Sequence, residues 1–135
     1  MTEEITKRMN ILMVEDNPAD AFLTSEILAE SERISYMVTT VRNAAEALAF
    51  LHRKNGYEHS TQPDLILLDL NLPKMHGFEF LAEIRKDKNL TDVGVVVLTT
   101  SEVEKDIEKA KELGVNGYLI KPIDLEEFES VVLPH

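Results

Sequence analysis

Five side chains in this sequence are of the types that together handle a phosphoryl group. They are the adjacent carboxylates Glu15 and Asp16, a third carboxylate at Asp69, the hydroxyl of Thr99 and the ammonium of Lys121. Each stands at the end of a short apolar run. Three carboxylates gathered at one place repel, and without a counterion some take up protons. A divalent cation resolves the repulsion, and hard oxygens with no His or Cys constellation nearby favour Mg²⁺ or Mn²⁺ over zinc or copper. Mg²⁺ keeps waters and binds a few carboxylates together with a phosphate, so this set resembles half a site. Asp69 can supply the rest as a carboxylate nucleophile that forms an acyl phosphate. Lys121 and Thr99 then share the phosphoryl oxygens with the metal and offset the charge that builds during transfer.

Taken singly, these residues decide little. An acid at a strand end is more often a helix cap or turn residue, a lone lysine is usually solvated, and a strand-end threonine most often bonds to backbone. Their joint placement discriminates. Asp69 closes an otherwise apolar run, Leu65 to Leu70 (LILLDL), where a buried unpaired charge is costly.

The elements that must position them follow from hydrophobic period and punctuation. Asn10 to Glu15 (NILMVE) predicts a buried strand. Asn17-Pro18-Ala19-Asp20 then supplies a cap, a proline at the first helical position and a first-turn acid, for a helix to about Ser31. Ser35 to Val41 predicts a second strand. Asn43 with Glu46 resembles a capping box opening a helix that ends near Gly56, and His52 to Asp64 is a polar surface loop. Leu65 to Leu70 predicts the third strand, Gly77 to about Lys88 the third helix, and Val93 to Leu98 the fourth strand. Ser101 with Glu104 is a second capping box for a helix closed by Gly114, with a narrow seam of Val103, Ile107 and Ala110. Gly117 to Ile120 is the fifth strand, and Asp124 caps a short last helix carrying Leu125, Phe128 and Val131.

Such strict alternation implies an α/β fold with a five-stranded parallel sheet, right-handed crossovers and helices on both faces. Functional residues in such sheets lie beyond the carboxyl ends of the strands. The second strand alone ends on nothing comparable. In a flavodoxin-like 2-1-3-4-5 order the other four strands are contiguous, and their contributions meet.

The 135 residues hold 25 acidic side chains against 14 Lys and Arg, a formal charge of −11 that repels nucleic acid and anionic lipid. With no cysteine, disulfides, thiolate zinc sites and thiol nucleophiles are excluded. A charged N-terminus and the lack of a long apolar run point to a protein in the cytoplasm, with no membrane partner.

The Glu15-Asp16 pair, the stretch DLILLDLNLPKMHG, LTT at Leu98 to Thr100 and YLIKP at Tyr118 to Pro122 resemble, in this order, the receiver domain of two-component response regulators, the chemotaxis response regulator type. The resemblance runs from about residue 9 to 132. It implies that Asp69 accepts a phosphoryl group from a phosphohistidine on a sensor histidine kinase or phosphotransfer protein, with self-catalysed transfer and autodephosphorylation but no enzyme activity on other substrates. It implies that Glu15, Asp16 and Asp69 hold Mg²⁺ together with the Asn71 backbone carbonyl, and that Thr99 and Lys121 bind the phosphoryl oxygens. Thr99 and the fifth-strand aromatic, Tyr118, become the switch.

Departures from the pattern are Glu15 in a place shared by Asp and Glu, Thr100 where a smaller residue is usual, and His76, read as an exposed turn residue, where an acid is common. Asn71 and Ser101 match positions that tune phosphoryl lifetime. The chain is expected to be one receiver domain without an output domain, so its message passes to an unknown downstream protein through the face of the fourth helix, fifth strand and fifth helix, where a homodimer contact is a further expectation. The polar loop and the short last helix are similar to stand-alone regulators of phytochromes, which makes a phytochrome-class kinase a candidate partner. The alternatives are a receiver-like interaction module that is never phosphorylated, or a phosphate sink. A flavodoxin-like cofactor protein is disfavoured because Glu-Asp-Asn-Pro stands where a phosphate loop belongs, and a haloacid dehalogenase-type phosphatase because the nucleophile follows the third strand.

Overall fold

A computed structural model describes residues 7–70, 77–100 and 102–133. In chain order the elements are β1 (Lys7–Val14), α1 (Pro18–Leu28), β2 (Ile34–Val41), α2 (Ala44–Leu51), β3 (Leu65–Leu68), α3 (Gly77–Lys86), β4 (Gly94–Thr99), α4 (Glu104–Glu112), β5 (Gly117–Ile120) and α5 (Leu125–Val132). All neighbouring strands are parallel, in the order β2-β1-β3-β4-β5 that the sequence predicts. The strand with no chemistry at its end, β2, is therefore an edge.

The central strands read as unbroken apolar runs because both faces are covered. Every residue of β3 is buried. On one face Leu12, Val14, Ile66, Leu68 and Val95 pack with Phe50, Phe80, Leu81 and Ile84. On the other Ile11, Met13, Leu67, Val96 and Leu98 pack with Leu28, Ile123 and Phe128, and the half-buried Val131, Val132 and Leu133 close against this second core.

Helices α1, α2 and α5 start at side-chain caps, and most element ends fall earlier than sequence period implies. The Asn17 side chain accepts from the Ala19 and Asp20 N–H groups, and Asp124 accepts from the Glu127 N–H. Asn43 caps α2, but Glu46 reaches back to the Arg42 N–H rather than closing a box on Asn43. Helix α2 stops at Leu51, five residues short of Gly56, because Arg53 already takes a positive φ of 56° and turns the chain into the loop. The Ser101–Glu104 capping box does not start α4. The N-cap is Val103, which has no side-chain cap bond, and the buried seam shrinks to Ala110 with Ile107 half-buried. Ser101 itself lies outside the described residues.

The amino ends of the strands are tied by side chains. Asp64 accepts from the Asn10 N–H at 2.8 Å, and Asn116 accepts from the Val95 N–H at 2.9 Å. The Arg85 guanidinium, at the end of α3, donates to the carbonyls of Thr91, Val93, Leu113 and Gly114 at 2.9–3.0 Å, joining the entrance of β4 to the end of α4.

Helix α5 is bolted across the sheet to its far edge. The Glu129 carboxylate accepts from the Tyr36 hydroxyl of β2 at 2.9 Å and from the Ser31 hydroxyl at 2.6 Å, while the Tyr36 ring leans on Phe128. Burial first, then the Glu129 carboxylate, push the Tyr36 phenol well above its usual range. The folded state thus favours the protonated phenol, and this stabilisation is complete below the unfolded value of about 10 and lost as pH rises past it. Tyr36→Phe is expected to cost about 1 kcal/mol at neutral pH. It should also flatten the loss of stability above about pH 10. Urea unfolding of both proteins at neutral and alkaline pH checks this, and equal alkaline slopes would count against it.

Candidate functional site

The sheet ladders continue one residue past three of the strands and fix where the side chains emerge. The Glu15 N–H donates to the Val41 carbonyl at 2.9 Å, the Asp69 N–H to Val14 at 3.2 Å and the Lys121 N–H to Thr99 at 2.8 Å. Because Val14 is in register with Leu68 and Thr99 with Ile120, Glu15 lies beside Asp69 and Lys121 beside the end of β4. The capped start of α1 then carries the chain away from Asp16, and the Asn17 N–H donates to the Glu15 carboxylate at 3.3 Å.

Glu15, Asp16 and Asp69 each present an oxygen, and the three oxygens lie within 4.8 Å of one another. Glu15 and Asp69 are buried, with relative exposures of 4 % and 8 %, and Asp16 is exposed. The Lys121 ammonium reaches into the group, 2.6 Å from Glu15 Oε1, 2.9 Å from Asp69 Oδ2 and 3.0 Å from Asp20 Oδ2. An ammonium has three donors, and these contacts occupy all of them.

Burial, aided by repulsion from Asp69, holds the Glu15 carboxyl above its usual range although the bond from Lys121 pulls it down. Burial also works against the charge of Lys121, but the bonds to Glu15, Asp69 and Asp20 more than offset it and hold the ammonium above the usual lysine range. One ammonium therefore balances only part of the charge. The donor set is carboxylate oxygen, which suits a hard divalent cation, and among the described residues it is the one acidic group with this geometry.

Of the residues predicted from sequence, Glu15, Asp16, Asp69 and Lys121 converge here. Thr99 is fully buried at the end of β4, its carbonyl bonded to the Lys121 N–H. Tyr118 is half-buried against the cluster of Leu70, Phe78, Val97 and Ala110, between the sheet and α4. Thr100 is exposed. Asn71 and His76 lie outside the described residues.

Two contributors escaped the sequence reading. Asp20 reads as a first-turn acid, yet it bonds Lys121; the available signal was its place one helical turn after Asp16. Gly77 reads as a helix start, but its N–H donates to the Leu70 carbonyl at 3.0 Å, and a Cβ there would lie 2.6 Å from Leu70 Cα and 3.0 Å from the Asp69 carbonyl oxygen. Only glycine lets α3 begin this close to the strand end. Gly77→Ala is expected to cost roughly 1–3 kcal/mol and to displace the Asp69 backbone. Urea unfolding reads the first effect and the rate of phosphoryl labelling the second; wild-type values in both would refute the close approach.

The chain is similar to known proteins over most of its length. The response regulator receiver domain family matches residues 11–133. The response regulator Rcp1 of Synechocystis sp. is 44% identical over 132 residues, covering 98% of this chain and 89% of the relative. Among solved structures, the phosphorylated cyanobacterial phytochrome response regulator RcpA superposes with a TM-score of 0.79 at 46% identity, covering 92% of this chain and 89% of its own. The Mn²⁺-bound form of Rcp1 gives 0.78 at 46% identity, covering 91% and 88%.

Proposed function

Because the chain belongs to the response regulator receiver domain family of two-component signalling, we propose that Asp69 is its phosphoacceptor and that Glu15, Asp16 and Asp69 hold Mg²⁺ at the same edge. The observation that carries this reading is a buried carboxylate within reach of two others and of a lysine ammonium, at the carboxyl end of the central strand. That the similar regulator Rcp1 has a Mn²⁺-bound form supports divalent-cation binding by this chain.

An Asp69 carboxylate oxygen attacks the phosphorus of a phosphohistidine on a sensor kinase or phosphotransfer protein. The P–O bond forms as the P–N bond breaks, the electron pair leaves with the imidazole, and an acyl phosphate remains on Asp69. Burial keeps water from competing for the donor, and the Lys121 ammonium transfers one of its bonds to a phosphoryl oxygen. A divalent cation held by Glu15, Asp16 and Asp69 would supply positive charge to offset that of the phosphoryl oxygens. Thr99 supplies a hydroxyl to the phosphoryl group, and Tyr118, packed next to α4, carries the change toward the α4–β5–α5 face, where a downstream protein binds. The chain modifies only itself and acts as an enzyme on nothing else.

The identity to Rcp1 and to the phytochrome regulator RcpA supports a phytochrome-class kinase as donor. Acetyl phosphate with Mg²⁺ is expected to add one phosphoryl group, seen by intact mass and lost on chelation of the metal. Phosphotransfer from a panel of purified kinases is expected to be fastest from a phytochrome-class member. No Mg²⁺-dependent mass gain refutes the phosphoacceptor role, and preference for an unrelated kinase refutes the pairing alone.

A further inference from the structure

The reading of Asp69 as phosphoacceptor leaves one contact of the site without a use. Lys121 Nζ lies 3.0 Å from Asp20 Oδ2, on the first turn of α1. Asp20 is not among the carboxylates whose oxygens come within 4.8 Å of one another, and its side chain is 41 % exposed where that of Lys121 is 11 %. The contact is thus the solvent-facing one of the three that the ammonium makes, the other two going to buried carboxylates.

Resting on that reading, we propose that Asp20 is a positioning residue for phosphoryl transfer, holding the Lys121 ammonium over Asp69 by a carboxylate that stands outside the metal-ligand set. All three donors of Lys121 are committed to carboxylates. Two of those carboxylates, Glu15 and Asp69, are claimed by other work: both face a divalent cation, and Asp69 also receives the phosphoryl group. Each event draws electron density away from the oxygen that Lys121 uses. Asp20 is claimed by neither, so its bond persists through both and keeps the ammonium from swinging outward on its flexible four-carbon stem. A donor held in place loses less freedom when it meets the phosphoryl oxygen, which is how positioning raises a rate. The anchor is itself fixed, because the Asp20 N–H donates to the capping Asn17 side chain.

The test has two arms on the full chain. In ¹⁵N-detected spectra of the lysine ammonium groups, the Lys121 signal of the wild-type protein is expected to stay protected from exchange with water when Mg²⁺ is added. Asp20→Ala loses that signal in Mg²⁺, whereas Asp20→Asn, which keeps an acceptor oxygen, retains it in part. A Lys121 signal in Asp20→Ala with Mg²⁺ that matches the wild type overturns the proposal.

In the second arm, Asp20→Ala slows labelling by acetyl phosphate at saturating Mg²⁺ about tenfold in the wild-type background, and by less than about twofold when combined with Lys121→Met. Equal slowing in both backgrounds means that Asp20 acts through its charge alone, and overturns the proposal, as does no slowing at all. If the wild-type protein is not labelled, the phosphoacceptor reading fails, while the ammonium signal still decides the part of Asp20.

Discussion

Asp69→Asn protein incubated with acetyl phosphate and Mg²⁺ is expected to gain no phosphoryl group by intact mass, while the wild-type protein gains one. The amide oxygen is too weak a nucleophile to open the phosphodonor, and no neighbouring group replaces it. Glu15 is engaged by Lys121 and the Asn17 N–H, and Asp16 lies on the exposed side of the cluster. The variant should fold. Asn keeps the volume of Asp, still accepts a bond from Lys121, and relieves Glu15 of the repulsion that helps to hold its carboxyl above the usual range. A melting temperature equal to or above that of the wild type, measured without metal, separates lost chemistry from lost structure. Equal labelling of the variant would move the phosphoacceptor elsewhere.

Lys121→Met is expected to show the electrostatic side of the site. Removing the ammonium leaves Glu15, Asp20 and Asp69 without the partner they share. Breaking such a set from one side costs roughly 2–4 kcal/mol, below the value for a fully buried pair because Asp20 and Asp16 remain in contact with water. Since the lost charge is positive and local, added Mg²⁺ or Mn²⁺ should recover most of the deficit, and the variant's melting temperature should climb more steeply with metal than that of the wild type. Labelling should slow about a hundredfold, as expected for loss of one fixed charge that faces developing negative charge. Unchanged stability without metal would show that the ammonium offsets little of the repulsion.

The strand order and most of the candidate site's geometry were legible because its polar residues fall on strand ends. NILMVE, LILLDL and the run closing at Thr99 each switch from apolar to polar at a residue of the candidate site, and the silence of β2 identified the edge strand. What was not legible depended on distances across the fold. Its place one helical turn after Asp16 sets Asp20 near the strand end, but does not pair it with a lysine about one hundred residues later, since a first-turn acid is explained by the helix it begins. Gly77 was hidden in the same way: its role is the close approach of a backbone that only the assembled sheet brings near. The start of α4 was misread because Ser101 with Glu104 satisfies a local rule that the tertiary structure overrides, the helix beginning at Glu104 itself. The end of α2 was misread because Gly56 is a stop signal, but left-handed Arg53 breaks the helix before it.

The two rims of the sheet carry forces of opposite sign. At the carboxyl rim the side chains push apart, held by one ammonium. At the amino rim Arg85, Asp64 and Asn116 pull strands and helices together through neutral carbonyls and amides. The molecule therefore carries its working load at one end and its tie-bolts at the other. Charge arriving at or leaving the loaded rim can loosen strand ends and helix starts there while the bolted rim keeps the strands in register, so signalling can spend local order without drawing on the stability of the whole.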